Sequence, residues 1–252
     1  MNLVNGLQSN SEIVYLAELI KDFPTEKQMQ AEAALNTLSV RYEELEKNTA
    51  GFLKTVKTPP PQLFKFPFNK LIIEKDYFPA VFSMFVLLFH RYLFHEILSN
   101  AGKYRSKKDP NNGLVGFGGN NPRMLGSLNF TGTIPEEIPN LLNKAFKLLR
   151  ANSNNPIKDG LEFYRRFVRI HPFYDANGRI SRLILNIYFQ YFGLNINWRE
   201  LESGGNKTKF IKKLNNCHKT ENQLNYKTYF EYLLNHFKKF VVETKDFDLP
   251  SP

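Results

Sequence analysis

"HPFYDANGRISR", from His171 to Arg182, brings a histidine, a carboxylate, an Asn-Gly pair and two arginines together in one short stretch. The residues from Ala176 to Gly178 tolerate left-handed or tight backbone, so we expect their N–H groups to converge into an anion-binding nest. The apolar stripe in "RISRLILNIYFQYFG" predicts a helix that begins at this nest and ends at Gly193. A helix N-terminus at such a loop attracts anions through its free N–H groups and its dipole. The stretch therefore predicts a phosphate-binding turn that opens a long helix.

The charged residues of the stretch indicate phosphoryl-type transfer. Arg179 and Arg182 are spaced to lie on one side of the first helical turn, where two guanidiniums suit a di- or triphosphate. Asp175 would repel those phosphates unless a cation intervenes, and Mg²⁺ is usually held by one or two carboxylates together with substrate phosphates. His171, with an ordinary pKa of about 6.5, fits a general base. The alternative is a capped helix start with surface arginines and a satisfied histidine; the complete set in this order favours the transferase.

Composition limits the class of protein. The 252 residues, with 42% apolar residues and 23 Phe, suit one domain or one domain with a small helical extension. The net charge of +10 favours anionic partners without choosing among nucleotides, nucleic acid and acidic proteins. No long basic run indicates a nucleic-acid arm, so we do not expect nucleic acid to be the partner. The single cysteine, Cys217, is typical of a reducing, intracellular location.

The sequence pattern predicts neither a secretory signal nor a membrane-spanning segment. We see no secretory signal at the N-terminus. The most apolar stretch, from Tyr77 to Phe89, is shorter than the roughly 18 residues that would suggest a membrane span, and it predicts a buried core helix. We therefore expect a cytoplasmic protein without a membrane partner, and delivery as a secreted effector stays open.

The remaining chain is predicted to be almost entirely helical. Residues 1 to about 56 favour helices, with a long polar helix near 26–47, and the proline-rich "KTPPPQ" predicts a stiff connector. A large helix is expected from about Tyr77 to Asn100. The stretch from Lys103 to Thr133 is rich in Gly, Asn and Pro and predicts a loop with a β-hairpin, the alternative being a surface loop without regular structure. Amphipathic helix is predicted up to about Thr244. The fold class is all-α with one small β-hairpin.

The opening stretch closely resembles the signature of the Fic family, H-P-F-x-[D/E]-[G/A]-N-G-R-x-x-R, and every specified position matches. "HEILSNAGKYR", "GTIPEEIPNLL" and "FYRRFVRIHPF" are also similar to Fic-domain sequence. The resemblance implies an all-α Fic-domain fold with a small β-hairpin flap. It places the Fic core at about residues 63–200, after an N-terminal helical extension (1–56) and before C-terminal helices and a tail (201–252).

The resemblance also implies an activity. Most Fic proteins transfer AMP from ATP to a Ser, Thr or Tyr hydroxyl of a target protein and release pyrophosphate. By this resemblance His171 is the base, and Asp175 is the ligand of Mg²⁺. The flap would align the target segment by strand addition, with Met124 and Leu125 as candidate contacts. The phosphate cradle would consist of Ala176, Asn177, Gly178, Arg179 and Arg182.

Several alternatives remain open within the resemblance. Doc kinases carry Lys where this chain has Gly178, so Gly178 favours AMP transfer over phosphorylation. Other Fic proteins use UTP, GTP or CDP-choline, and a catalytically silent Fic-like interaction module is a further alternative. The oligomeric state, including a homodimer, and the role as toxin, regulator or effector also stay open. The richness in Lys, Asn and Phe is typical of an AT-rich, bacterial genome.

Many Fic proteins carry an inhibitory helix with the pattern [S/T]-x-x-x-E-[G/N]. "SVRYEE" supplies Ser39 and Glu43, although Glu44 stands where Gly or Asn is expected. If this helix acts as a brake, Glu43 pairs with Arg182. Replacing Glu43 by Gly should then raise AMP transfer about tenfold or more, because a charged pair at the phosphate site is lost.

Overall fold

The computed structural model describes residues 77–95, 98, 100–117 and 130–243, together with Val40, Arg41 and Glu44. Helices dominate these residues, and the predicted all-α class is confirmed. The helices are α1 (Tyr77–Phe94), α2 (Ile138–Phe146), α3 (Pro156–Ile170), α4 (Asn177–Tyr191), α5 (Trp198–Leu201), α6 (Gly204–Lys219) and α7 (Tyr226–Phe237). The strands form two antiparallel pairs, β1 (Gly116–Phe117) with β2 (Phe130–Thr131) and β3 (Leu194–Ile196) with β4 (Val241–Glu243).

Helix α4 lies at the centre of the core. Ile180, Leu183, Ile184 and Ile187 of its apolar stripe are fully buried, Tyr191 is partly buried, and the helix packs closely along α3. Gly160 of α3 permits this close approach, because a Cβ atom there would lie 2.5 Å from the ring of Phe189 and 2.7 Å from the side chain of Leu185. Helix α2 packs on α3, α1 packs on α2 and α4, and α6 and α7 pack together and against α3. The two central helices are thus held on several sides, and the loop that joins them is the predicted phosphate-binding turn.

The ends of α3 and α4 follow from local sequence. The side chain of Asn155 accepts a hydrogen bond from the N–H of Lys158 at 3.1 Å, and Pro156 begins α3 with a backbone angle suited to helix. Helix α4 begins after Ala176 and is followed by Gly193, whose φ of +70° lets the chain turn away. The predicted stop of this helix is confirmed.

Two predicted boundaries were wrong. Helix α1 ends at Phe94 rather than near Asn100, and Nδ1 of His95 lies 3.1 Å from the carbonyl oxygen of Arg91, where it can satisfy the end of the helix. The C-terminal part is not continuous helix up to Thr244. Instead β4 returns to pair with β3, with the β-branched residues Ile196 and Val241 opposite each other. The structure therefore contains a second strand pair that the sequence pattern did not predict.

The predicted domain limits are only partly covered by the described residues. The N-terminal extension, apart from Val40, Arg41 and Glu44, and the proline-rich connector lie outside them. Helices α6 and α7 contribute buried side chains such as Leu214 and Phe237 to the same core as α4, and the limit at residue 200 stays a prediction. Among the described residues, no helix combines the length and apolar character that crossing a membrane requires.

Candidate active site

His171 caps the C-terminal end of α3 in a left-handed conformation, with φ 54° and ψ 60°. Its N–H donates to the carbonyl oxygen of Phe167 at 3.0 Å. A left-handed residue that is not glycine costs roughly 1 kcal/mol, although histidine is among the residues that adopt this region more often. The imidazole stacks on the ring of Phe117 in β1, with centroids 4.5 Å apart and planes 11° apart. The pair β1–β2, which we call the flap hairpin, therefore lies directly on His171.

The environment of His171 keeps its ring neutral. Burial lowers the pKa of His171 to about 4, and the positive charge of Arg105 acts in the same direction. The carbonyl of Val168 and the carboxylate of Asp175 oppose this shift. Within the described residues, Nδ1 of His171 is buried and makes no hydrogen bond of good geometry. At neutral pH the ring is uncharged and can accept a proton.

A second histidine, His90 of α1, supports the loop after His171. Its ring stacks on the fully buried ring of Phe173, with centroids 3.9 Å apart. The N–H of Gly102 donates to Nδ1 of His90 at 2.8 Å, so the ring proton is on Nε2. Nε2 then donates to the carbonyl oxygen of Asp175 at 3.3 Å, and burial lowers the pKa of His90 to about 4. His90 is therefore a neutral support with a defined tautomer.

Asn177 closes the loop on itself. Its Oδ1 accepts from the N–H of Phe173 and its Nδ2 donates to the carbonyl of Phe173, both at 2.9 Å. Ala176 is left-handed with φ 62°, and its N–H donates to the carboxylate of Asp175. The side chain of Asn177 is thus engaged within the loop, so its contribution to a phosphate cradle is to fix the backbone. The N-terminus of α4, including Gly178, follows directly.

The first motif arginine, Arg179, is buried beside the loop. One of its terminal nitrogens lies 3.6 Å from Oδ1 of Asp175. Its guanidinium lies over the ring of Phe94 in α1, with 4.8 Å between the central carbon and the ring centroid. Arg179 therefore holds positive charge next to the start of α4.

The second motif arginine, Arg182, lies against α5 instead. Its guanidinium is 4.8 Å from the ring centroid of Trp198, and it forms an ion pair with the buried carboxylate of Glu202. The sequence interpretation expected both arginines on one side of the first turn; the two guanidiniums contact different neighbours. Glu202 was not predicted as a site residue. The predicted partner of Arg182, Glu43, lies outside the described residues, as do Ser39, Met124 and Leu125.

The residues at the loop fit a magnesium ion that shares its ligands with a substrate. The carboxylate of Asp175 is 45% exposed and lies beside the left-handed turn. The described part of the chain contains no cluster of three or more His, Cys, Asp or Glu that could hold a metal by itself. A single carboxylate next to an anion site suits Mg²⁺, which takes its other ligands from phosphates and water.

Three structural partners were missed by the sequence interpretation: His90, Arg105 and Glu202. His90 and Arg105 hold the loop from distant positions in the chain, and Glu202 pairs with Arg182 of α4. Arg105 and His90 bind backbone carbonyls, which leave no pattern in residue types. Only one feature of the sequence could have indicated Arg105: it ends "HEILSNAGKYR", a stretch that is similar to Fic-domain sequence.

Comparison with known proteins agrees with the motif. A family model described as the Fic/DOC family matches residues 83–189. No curated protein matches the chain in sequence. Among solved structures, a Fic family protein from Desulfovibrio desulfuricans G20 is 15% identical with a TM-score of 0.45, and the match covers 91% of this chain and 73% of that one. The BepC protein from Bartonella tribocorum, with bound AMPPNP, is 16% identical with a TM-score of 0.42, over 84% of this chain and 89% of that one. Residues 83–189, which include His171 and the loop into α4, are therefore a domain of the Fic/DOC family.

Proposed function

We propose that this protein is a protein adenylyltransferase that moves AMP from ATP to a Ser, Thr or Tyr hydroxyl of a target protein. The proposal rests on the short loop between α3 and α4, which hydrogen bonds from Asn177 and His90 hold in place. It holds a neutral histidine at one end and the N-terminus of a long helix, with Asp175 and Arg179, at the other. A proton acceptor and an anion site are the two elements that transfer from a nucleoside triphosphate requires.

In this mechanism the phosphates of ATP lie at the N-terminus of α4, near Arg179. The hydroxyl oxygen of the target attacks the α-phosphorus, and its proton passes to the imidazole of His171. A new oxygen–phosphorus bond to the target forms while the bond between the α-phosphorus and the bridging oxygen breaks. Pyrophosphate leaves with that oxygen. The backbone N–H groups after Ala176 stabilise the negative charge that develops on the α-phosphate.

Asp175 would hold a Mg²⁺ ion together with the phosphates of the nucleotide. Bound there, the ion supplies positive charge to the phosphate oxygens. Asp175 is itself oriented by the hydrogen bonds of its loop, since its carboxylate accepts from Ala176 N–H and its carbonyl accepts from His90. We assign the catalytic core to about residues 63–200, with the flap hairpin aligning the target segment by backbone pairing.

The test compares wild type, His171→Ala and a matched histidine control, His95→Ala. His95 is exposed and hydrogen-bonds within α1. Each protein is incubated with Mg²⁺ and ATP, UTP, GTP or CDP-choline in turn, alone and with cell lysate, and adducts are identified by intact-mass and peptide mass spectrometry. We expect an AMP adduct from ATP with wild type and His95→Ala and none with His171→Ala. An adduct from another donor alone would replace ATP in the proposal, and no adduct from any donor would favour the silent interaction module.

A further inference from the structure

Arg105 is a buried cation in the loop between α1 and the flap hairpin. It is 2% exposed, and the hydrogen bonds of its guanidinium go to backbone carbonyls. We infer that Arg105 is a positioning residue for the transfer reaction: its guanidinium fixes His171 and both ends of the flap hairpin in one arrangement. This inference rests on the proposed function.

The contacts of Arg105 join three parts of the site. Its backbone N–H donates to the carbonyl oxygen of Pro172 at 3.0 Å. Its side chain donates to four carbonyl oxygens: Nε to His171 at 2.7 Å, Nη1 to Gly113, and Nη2 to Thr133 at 2.8 Å and Ile170 at 3.3 Å.

The four carbonyls come from two parts of the structure, the end of α3 and the base of the flap hairpin. Those of Ile170 and His171 belong to the C-terminal end of α3, where helix carbonyls lack intrahelical partners and a positive charge is favourable. Gly113 precedes β1 and Thr133 follows β2, so these two residues bracket the flap hairpin. One guanidinium therefore ties the left-handed His171 to both ends of the hairpin whose Phe117 covers the imidazole.

The arrangement requires arginine. Four acceptors in different directions match the fixed planar set of N–H donors of a guanidinium, whereas the single ammonium of lysine cannot reach them all. A buried charge is tolerated only when polar partners surround it, and here carbonyl dipoles do so.

The packing around Arg105 leaves little room for movement of His171. A Cβ atom on Gly132, at the end of the hairpin, would lie 2.9 Å from Nη2 of Arg105 and 3.3 Å from Cβ of His171. The N–H of Thr133 also donates to the carbonyl of Ile170 at 3.1 Å. His171, Arg105 and the base of the hairpin therefore form one tightly packed unit, and a change in Arg105 is transmitted to the imidazole.

The decisive variant is Arg105→Lys, which keeps the positive charge and loses the planar set of N–H donors. Arg105→Met removes the charge as well. The matched control is Leu233→Ala. This substitution creates a cavity at a fully buried position of α7, and it lowers stability without touching the site. Binding of ATP is measured by calorimetry, and the transfer rate is measured at saturating ATP, at a temperature where circular dichroism shows that each variant is folded.

We expect Arg105→Lys to bind ATP within about threefold of wild type, because Arg105 does not contact the N-terminus of α4. Its transfer rate should fall about a hundredfold, the size of effect that small misplacement of a reacting group produces. Leu233→Ala should keep its rate within about twofold, since it changes only stability. A rate for Arg105→Lys equal to that of Leu233→Ala would overturn the inference.

A second readout separates the inference from the proposed function. If wild type transfers no group from any donor, the proposed activity has failed, and the position of His171 is read by NMR instead. Wild type and Leu233→Ala should show a nuclear Overhauser effect between the rings of His171 and Phe117, and Arg105→Lys should lose it. Retention of this effect in Arg105→Lys and in Arg105→Met would show that Arg105 does not position the imidazole.

Discussion

Phe117 shields one face of the imidazole of His171. Burial is the largest cause of the low pKa of His171, and the stacked phenyl ring of Phe117 covers one face of the imidazole. Phe117→Ala should therefore raise this pKa from about 4 towards the ordinary value of about 6.5, because the charged form regains solvation. NMR titration of the imidazole measures the shift. An unchanged pKa in Phe117→Ala, equal to that of the distant control Phe192→Leu, would assign the burial to other neighbours.

Glu202 forms an ion pair with Arg182, the residue that the motif resemblance assigns to the phosphate cradle. Its buried carboxylate pairs with the guanidinium, so a phosphate that binds Arg182 must displace or share this partner. Glu202→Gln should therefore strengthen binding of pyrophosphate about tenfold, and the loss of this buried ion pair should lower the melting temperature. Calorimetric titration with pyrophosphate and thermal unfolding measure both effects.

The control for Glu202 is Glu200→Gln, an exposed residue of α5 that hydrogen-bonds to Asn197. It should change neither quantity appreciably. Equal affinity of Glu202→Gln and wild type would show that the ion pair does not limit anion binding. Glu43→Gly, assayed in parallel, tests the predicted brake on the same arginine; if only Glu202→Gln has an effect, Glu43 has no such role.

At the scale of elements, the flap hairpin depends on Gly132. A side chain there would meet Nη2 of Arg105 and Cγ2 of Val115, both at 2.9 Å, so the hairpin must shift. Gly132→Ala should lower the stability by about 1–3 kcal/mol and reduce transfer more than nucleotide binding. Gly205→Ala, in α6 with nothing within 4 Å of its Cβ position, is the matched control and should be neutral or slightly stabilising. Denaturant unfolding and transfer assays measure the two effects, and equal behaviour of the two variants would contradict the tight packing.

The sequence predicted the helices on both sides of the loop. It did not predict that His90 and Arg105 hold the loop from other parts of the chain. The stop at Gly193 and the left-handed turn at Ala176 before α4 follow from residues that are adjacent in the chain, where propensity acts locally. His90 reaches the carbonyl of Asp175 across 85 positions, and its target is backbone, which looks the same at every residue. Strands β3 and β4 are three residues each, too short to show a period. The missed features are those that only the packed chain defines.

At the scale of the whole molecule, buried histidines make stability depend on pH. Burial lowers the pKa of His90 and His171 to about 4 and that of His218 to about 3. The unfolded chain binds these protons at a higher pH than the folded chain, so their contribution is complete above about pH 6.5 and is lost as the pH falls towards 4. Each histidine adds a slope of up to about 1.4 kcal/mol per pH unit within this window. Denaturant unfolding at pH 7 and pH 5 should show a clear loss of stability at pH 5.

His218 contributes to this pH dependence of stability, and a substitution can separate its contribution. It is buried at the edges of the rings of Phe117 and Phe130, and neither of its nitrogens has a hydrogen-bond partner among the described residues. His218→Leu should stabilise the protein by about 1–3 kcal/mol and flatten its pH dependence, because an unsatisfied polar group and a titrating group are both removed. Asn215→Leu, on the same helix, controls for the added apolar surface. A slope as steep in His218→Leu as in Asn215→Leu would exclude His218 from the acid sensitivity.

Trp198 is the only tryptophan in the chain, and its ring lies against the guanidinium of Arg182 while its indole N–H donates to Asn186 at 2.8 Å. When it is excited at wavelengths that tyrosine does not absorb, the protein therefore emits from one indole at the second motif arginine. An anion that draws Arg182 away from the indole should change the emission without any dye or label. Titration of wild type with pyrophosphate, followed at the tryptophan band, thus gives an optical signal for occupancy of this end of the site, and Glu202→Gln should respond at lower concentrations.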